Sequence, residues 1–215
     1  MTLRRLTAEF IGTFSLVLVI CMTTYAKVSA DLQPLAIGLF LMGLIYANGY
    51  MSGAVFNPAV TLALWLRGRL TPKEALAYTG VQMLAGVAAA AFTIALTSAK
   101  PIVQPIAAPP QYFAVIPAIL AEAMGTFLLC WVILNVATSK TIEGNNFYGL
   151  AIGTTVTGLI YTFGSVSNGL FNPAVAVALC VAQISNWSNL ALLVMSAFGG
   201  AALAALAYRF INRDE

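Results

Sequence analysis

An internal repeat limits this chain more than any other feature. Ala8-Glu9 with Gly12-Thr13-Phe14 returns 113 positions later as Ala121-Glu122 with Gly125-Thr126-Phe127. Leu35-Ala36-Ile37-Gly38 returns as Leu150-Ala151-Ile152-Gly153, at an offset of 115. Phe56-Asn57-Pro58-Ala59-Val60 returns as Phe171-Asn172-Pro173-Ala174-Val175, again at 115. Three matches in one order at a near-constant offset define two copies of one unit. They cover about 1–98 and 113–212, joined by a loop at 99–112, within one domain of 1–215.

Each copy contains three long apolar segments and one short one. The long segments lie near 4–26, 34–53, 74–97, 113–137, 147–166 and 189–210. With 60% hydrophobic and only 8% charged residues, the chain lacks the polar side chains to cover a water-facing surface. Lipid accepts such a surface, and each long segment has the length of a spanning helix. Three spans per copy is an odd number, so the second copy is expected upside down in the membrane. The charges agree with this layout. Arg4, Arg5, Arg67, Arg69, Lys73, Lys140, Arg209 and Arg213 fall on the side of the termini, against Lys27 and Lys100 opposite. That bias predicts a multi-pass protein of the plasma (inner) membrane with both termini cytoplasmic.

The short segments, Asn57 to Leu66 and Asn172 to Gln183, are too short to cross a bilayer at about 1.5 Å per residue. Each opens with Asn-Pro-Ala. Asparagine is a favoured N-cap, and proline suits the first helical position because its missing N–H is not needed there. Ser52-Gly53-Ala54-Val55-Phe56 and Ser167-Asn168-Gly169-Leu170-Phe171 precede them. A small-residue stretch followed by a half-length helix predicts a re-entrant loop, which must be buried in protein or border a wet cavity. Inversion would bring the two helix starts together at the midplane, where their dipoles place partial positive charge and repel cations. The fold class expected is therefore all-α: six transmembrane helices and two re-entrant half-helices.

With AEFIGTF, SGAVFNPAVT, AEAMGTF and NGLFNPAV in hand, the chain resembles the major intrinsic protein family of aquaporins and aquaglyceroporins over essentially its whole length. The resemblance implies a homotetramer with one pore per protomer. It makes Asn57, Pro58, Ala59, Asn172, Pro173 and Ala174 the central pore motifs. Glu9 and Glu122 are ionisable groups inside apolar spans, which are costly without partners. A glutamate near a helix end can snorkel to the surface. The alternative, which the resemblance favours, is that each holds a re-entrant loop. The carbonyls of Gly53, Ala54, Val55, Asn168 and Leu170 would then face the pore.

The family's outer filter falls on Ile37, Ile160, Gly169 and Val175. Water-selective relatives carry an aromatic, a histidine and an arginine there; glycerol relatives carry aromatics and the arginine. Here the arginine position is Val175, and none of the four is aromatic. A valine removes a charge and five N–H donors. The resemblance thus implies a wide apolar filter that passes small uncharged solutes: glycerol and other polyols, urea, neutral metalloids or arsenicals such as arsenite, and water. Alternatives are a water-selective pore narrowed by the loop carrying Gln104, Gln111 and Tyr112, or a coupled secondary transporter.

Other classes are disfavoured. There is no histidine, and Cys21, Cys130 and Cys180 stand apart in apolar stretches, so no metal site, cofactor or enzymatic centre is expected. A net charge of +3 is too weak to suggest nucleic acid. The partners expected are solute, water and membrane lipid. The apolar pattern runs on past the basic start, so that start is not expected to be a cleaved leader. Gly80, Ala85, Gly86, Gly199, Gly200 and Ala201 are expected to permit close helix packing. Asn48 and Tyr50 are candidates for the inner vestibule.

Overall fold

The computed structural model describes residues 2–26, 28–29, 31–97 and 115–213. Lys27, Lys100 and the loop bearing Gln104, Gln111 and Tyr112 lie outside them. The described chain is all-α: α1 (Leu3–Tyr25), α2 (Gln33–Ser52), α3 (Pro58–Leu66), α4 (Pro72–Leu96), α5 (Val115–Thr138), α6 (Tyr148–Ser167), α7 (Pro173–Val181) and α8 (Leu190–Ile211), with a 3-10 turn at Lys140–Ile142. Six of these helices are long and apolar enough to span a membrane, and α3 and α7 are the two short ones.

Local chemistry sets the helix ends. Thr71 caps α4 by accepting from the Glu74 amide at 3.3 Å, while the Glu74 carboxylate accepts from the Thr71 amide at 3.0 Å, a reciprocal capping box. α2 and α6 both stop where the next residue turns left-handed, at Gly53 (φ +91°) and Asn168 (φ +70°). The second short segment ends earlier than the sequence suggests. α7 stops at Val181, because Gln183 turns left-handed (φ +60°) and the Ile184 amide folds back to the Leu179 carbonyl at 2.8 Å.

The halves pack by one scheme. α1 lies along α4 and against α2, and α5 lies along α8 and against α6. Each short helix packs on the last helix of the opposite half, α3 on α8 and α7 on α4. The buried positions of the last helices correspond at the repeat offset: Gln82, Ala85, Gly86, Ala89, Ala90 and Thr93 match Ala197, Gly200, Ala201, Ala204, Ala205 and Tyr208.

α2 and α6 join the halves and show their relative direction. Pro34 meets Thr157, Gly38 meets Gly153, Tyr46 meets Gly149, and Gly49 meets Tyr148. One number rises as the other falls, so the two helices run antiparallel. They are the equivalent helices of the two copies, so the second half is inverted against the first. At the crossing, a Cβ on Gly38 would sit 2.5 Å from the Gly153 carbonyl oxygen, and one on Gly153 would sit 2.6 Å from that of Gly38. Only glycine allows this approach.

Close packing elsewhere also rests on small residues, though not on all those expected. A Cβ on Gly86 would stand 2.8 Å from the Ala174 carbonyl oxygen, and one on Gly200 would collide with the Ala123 carbonyl. Gly80 and Gly199 instead face open space, on outward-turned sides of their helices. Those outward faces carry exposed Leu, Phe, Ile and Met, as lipid contact requires. Arg5 meets Glu74, Arg69 donates to the Thr138 carbonyl beside Lys140, and Arg67 meets Tyr208 next to Arg209. The described basic residues therefore gather at one end of the bundle.

Candidate functional site

The two Asn-Pro-Ala segments meet inside the bundle through reciprocal bonds. The Asn57 side-chain NH2 donates to the Phe171 carbonyl at 2.9 Å, and that of Asn172 donates to the Phe56 carbonyl at 3.0 Å. Each asparagine oxygen caps its own helix. Asn57 Oδ1 accepts from the Ala59 amide at 2.8 Å, and Asn172 Oδ1 from the Ala174 amide at 3.0 Å. An amide nitrogen carries two hydrogens, and the carbonyl bond uses one. The second is available to the cavity that both residues line. Two helix N-termini thus converge on one point with their dipoles and spare donors.

The loops leading to these caps have unusual backbones. Gly53, Ala54 and Phe56 have φ of +91°, +50° and +50°; their repeat partners Asn168, Gly169 and Phe171 have +70°, +62° and +46°. Alanine and phenylalanine in this region cost about 1–2 kcal/mol each, so something must hold them. Glu9, fully buried, does so in the first half. Its Oε1 accepts from Ser52 Oγ at 2.7 Å and the Val55 amide at 3.0 Å, and its Oε2 from the Phe56 amide at 2.8 Å. Glu122 repeats this with Ser167 Oγ at 2.7 Å, the Leu170 amide at 2.8 Å and the Phe171 amide at 2.7 Å.

Three further contacts were not read from the sequence. The first is the role of the motif glycines. A Cβ on Gly12 would collide with the Phe56 ring, and one on Gly125 with the Phe171 ring. Glutamate and glycine three residues apart share a helix face. One holds the loop's amides and the other seats its ring. The signal was present in Ala-Glu-x-x-Gly, but the phenylalanine it serves lies more than forty residues away.

The second is Gln82, fully buried, which donates to Glu9 Oε2 at 2.9 Å and accepts from Thr61 Oγ1 at 3.0 Å. The third is Tyr78, which donates to the Ser52 carbonyl at 2.8 Å and accepts from Arg5 Nε at 3.0 Å; Arg5 also pairs with Glu74 at 2.7 Å. At the repeat offset of 115, Thr61, Tyr78 and Gln82 become Ala176, Leu193 and Ala197. The first loop is therefore braced by polar contacts to α3 and α4 that the second loop lacks.

Both loops and both asparagine caps border one cavity of about 1220 Å³, lined from Arg5 and Arg69 at the basic end to Thr24, Gln33 and Tyr161 at the other. Ile37, Ile160, Gly169 and Val175 line it together, with Gly53, Ala54, Val55, Asn168 and Leu170. Gly169 lies against Ile160, since a Cβ on it would be 3.4 Å from the Ile160 Cα. Val175 is almost wholly buried, packed with Val17 and Leu179. Tyr50 lines the cavity at the basic end, whereas Asn48 turns away and donates to the Leu44 carbonyl at 3.0 Å. Cys21, Cys130 and Cys180 are buried and unlinked.

A through-going cavity crossed at its centre by two paired, capped half-helices has counterparts among known proteins. The family description "Major intrinsic protein" matches residues 1–208. The chain belongs to the major intrinsic protein family. It is 33% identical over 217 residues to a glycerol uptake facilitator protein-like 6 from Lactiplantibacillus plantarum, covering 99% of this chain and 100% of the relative. It is 32% identical to aquaporin AqpM from Methanothermobacter thermautotrophicus, over 84% of this chain and 76% of the relative. Its fold is similar to that of the aquaglyceroporin from Plasmodium falciparum, with a TM-score of 0.79, 19% identity, and 95% and 94% of the two chains covered. As a major intrinsic protein it is a multi-pass membrane channel for water or small neutral solutes, not an enzyme.

Proposed function

We propose that this channel passes uncharged solutes larger than water, passively, through a wide apolar filter formed by Ile37, Ile160, Gly169 and Val175. What supports the reading is the wall itself. The four residues line one cavity and offer no side-chain donor or acceptor. A solute there keeps part of its water or uses backbone carbonyls, so size and charge select more strongly than hydroxyl pattern. The two asparagine donors and the converging dipoles then meet it at the centre and disfavour cations. Polyols such as glycerol, urea, neutral metalloid acids including arsenite, and water form the solute class. Glu9 and Glu122 hold the loops, and the residues lining the first loop (Gly53, Ala54, Val55) and the second (Asn168, Leu170) supply the carbonyls. The whole chain acts as one channel domain of two inverted halves. It assembles as a homotetramer in the plasma (inner) membrane, with the basic end and both termini in the cytoplasm.

Stopped-flow light scattering on proteoliposomes tests this. Glycerol, urea and arsenous acid should cross faster than in protein-free vesicles, hexoses should not, and no solute should accumulate against its gradient. Permeation by water alone would contradict the wide filter, and uphill accumulation would point to coupled transport.

A further inference from the structure

A second cavity, of about 410 Å³, opens at the basic end of the bundle, outside the pore. Arg67, Arg209 and Arg213 border it with Tyr208 and Asn212. It lies where the turn after α3 meets the end of α8. The Arg67 guanidinium lies over the Tyr208 ring, 4.7 Å from its centre, and that of Arg213 lies 4.8 Å from the centre of the Phe210 ring. Arg209 donates to the Leu66 carbonyl at 3.4 Å. These contacts orient the guanidinium groups. Arg209 and Arg213 are exposed and keep most of their donors for a ligand.

The surroundings identify the ligand's other half. Phe210 and Ile211, beside Arg209 at the end of α8, are 68% and 65% exposed. An aromatic and aliphatic rim beside a cationic pocket, at the end of a spanning helix, is where acyl chain gives way to head group. The other half carries nothing similar, because Arg67, Gly68 and Arg69 correspond to Ala182, Gln183 and Ile184. The pocket therefore serves one leaflet only.

We propose that Arg67, Arg209 and Arg213 form a binding site for the phosphate of an anionic phospholipid, whose acyl chains lie along Phe210 and Ile211. Guanidinium groups bind phosphate oxygens in pairs, with strong charge-assisted bonds. Lipid anchored here would tie the α3 end to the α8 end.

Native mass spectrometry of the detergent-solubilised channel, titrated with phosphatidylglycerol or with phosphatidylcholine of the same acyl chains, tests the site. Phosphatidylglycerol should bind more tightly. The double variant Arg209→Gln/Arg213→Gln changes two exposed side chains and should weaken it by about fivefold per arginine, or roughly twenty-five-fold in all. Arg4→Gln/Lys73→Gln, at the same end but away from the pocket, should leave it unchanged. Equal binding of the two lipids, or an Arg209/Arg213 variant that binds like wild type, overturns the proposal. So does an equal loss in the control pair, which would mean diffuse charge attraction. Displacement of phosphatidylglycerol by millimolar glycerol 3-phosphate would assign the pocket to a soluble phosphate and refute the lipid.

Discussion

Replacing Glu9 by leucine removes the acceptor of four hydrogen bonds at once. Ser52 Oγ, the Val55 and Phe56 amides and Gln82 Nε2 lose their partner inside the protein. Each buried group left unsatisfied costs about 1–3 kcal/mol. The sum is about 4–12 kcal/mol, comparable to the whole stability of a typical domain, at about 5–15 kcal/mol. The left-handed backbone at Ala54 and Phe56 loses its restraint at the same time. Glu122→Leu strands three groups, Ser167 Oγ and the Leu170 and Phe171 amides, for about 3–9 kcal/mol. Both variants should be poorly folded, with Glu9→Leu the worse. Fluorescence-detected size-exclusion chromatography after stepwise heating measures this without a functional assay. Wild-type heat resistance in both variants, or a reversed order, would refute the restraining role of the carboxylates.

Three further perturbations test the scaffold around the pore. Gly12→Ala places a methyl group against the Phe56 ring and should destabilise by about 1–3 kcal/mol; adding Phe56→Leu should recover much of the loss in the same heating assay. Gln82→Leu should cost about 1–3 kcal/mol by removing one of the two bonds to Glu9 Oε2, which keeps the Phe56 amide, and one partner of the Thr61 hydroxyl, which keeps the Asn57 carbonyl, whereas Ala197→Gly, at the equivalent site, should cost under about 1 kcal/mol. A cysteine at Arg213 should react with an impermeant maleimide only in inside-out vesicles, if the basic end is cytoplasmic; labelling in right-side-out vesicles would invert the topology.

Much of the fold was legible because it depends on local signals. Thr71-Pro72-Lys73-Glu74 is a helix start in any context, and so is Asn-Pro-Ala, so the starts of α3, α4 and α7 follow from short-range bonding. Inversion followed from counting spans, and the α2–α6 crossing at Gly38 and Gly153 agrees with it. What escaped lies between elements distant in sequence. Nothing near Gly12 marks it as the seat of Phe56, and nothing near Gln82 marks it as a brace between Glu9 and Thr61. The outward turn of Gly80 and Gly199 was hidden for a related reason. Composition shows that a residue is small, but the helix's rotation decides whether it meets a neighbour. At the pore, the repeat pointed to the two Asn-Pro-Ala segments and the family resemblance to Ile37, Ile160, Gly169 and Val175, and the three-dimensional arrangement has those four line one cavity.

Val175→Arg tests the wide apolar filter most directly. Val175 is almost wholly buried in an apolar cluster that includes Val17 and Leu179, and it borders the cavity. A guanidinium too large for that packing must extend into the lumen, bringing bulk, charge and donors to a wall that has none. The measurement is the ratio of glycerol to water permeability in proteoliposomes carrying equal amounts of wild type or variant. The ratio should fall at least about tenfold, an added barrier of about 1.4 kcal/mol for the larger solute, with water spared or reduced less. A variant that folds, conducts water and keeps the wild-type ratio would contradict the account and place the limiting constriction away from Val175.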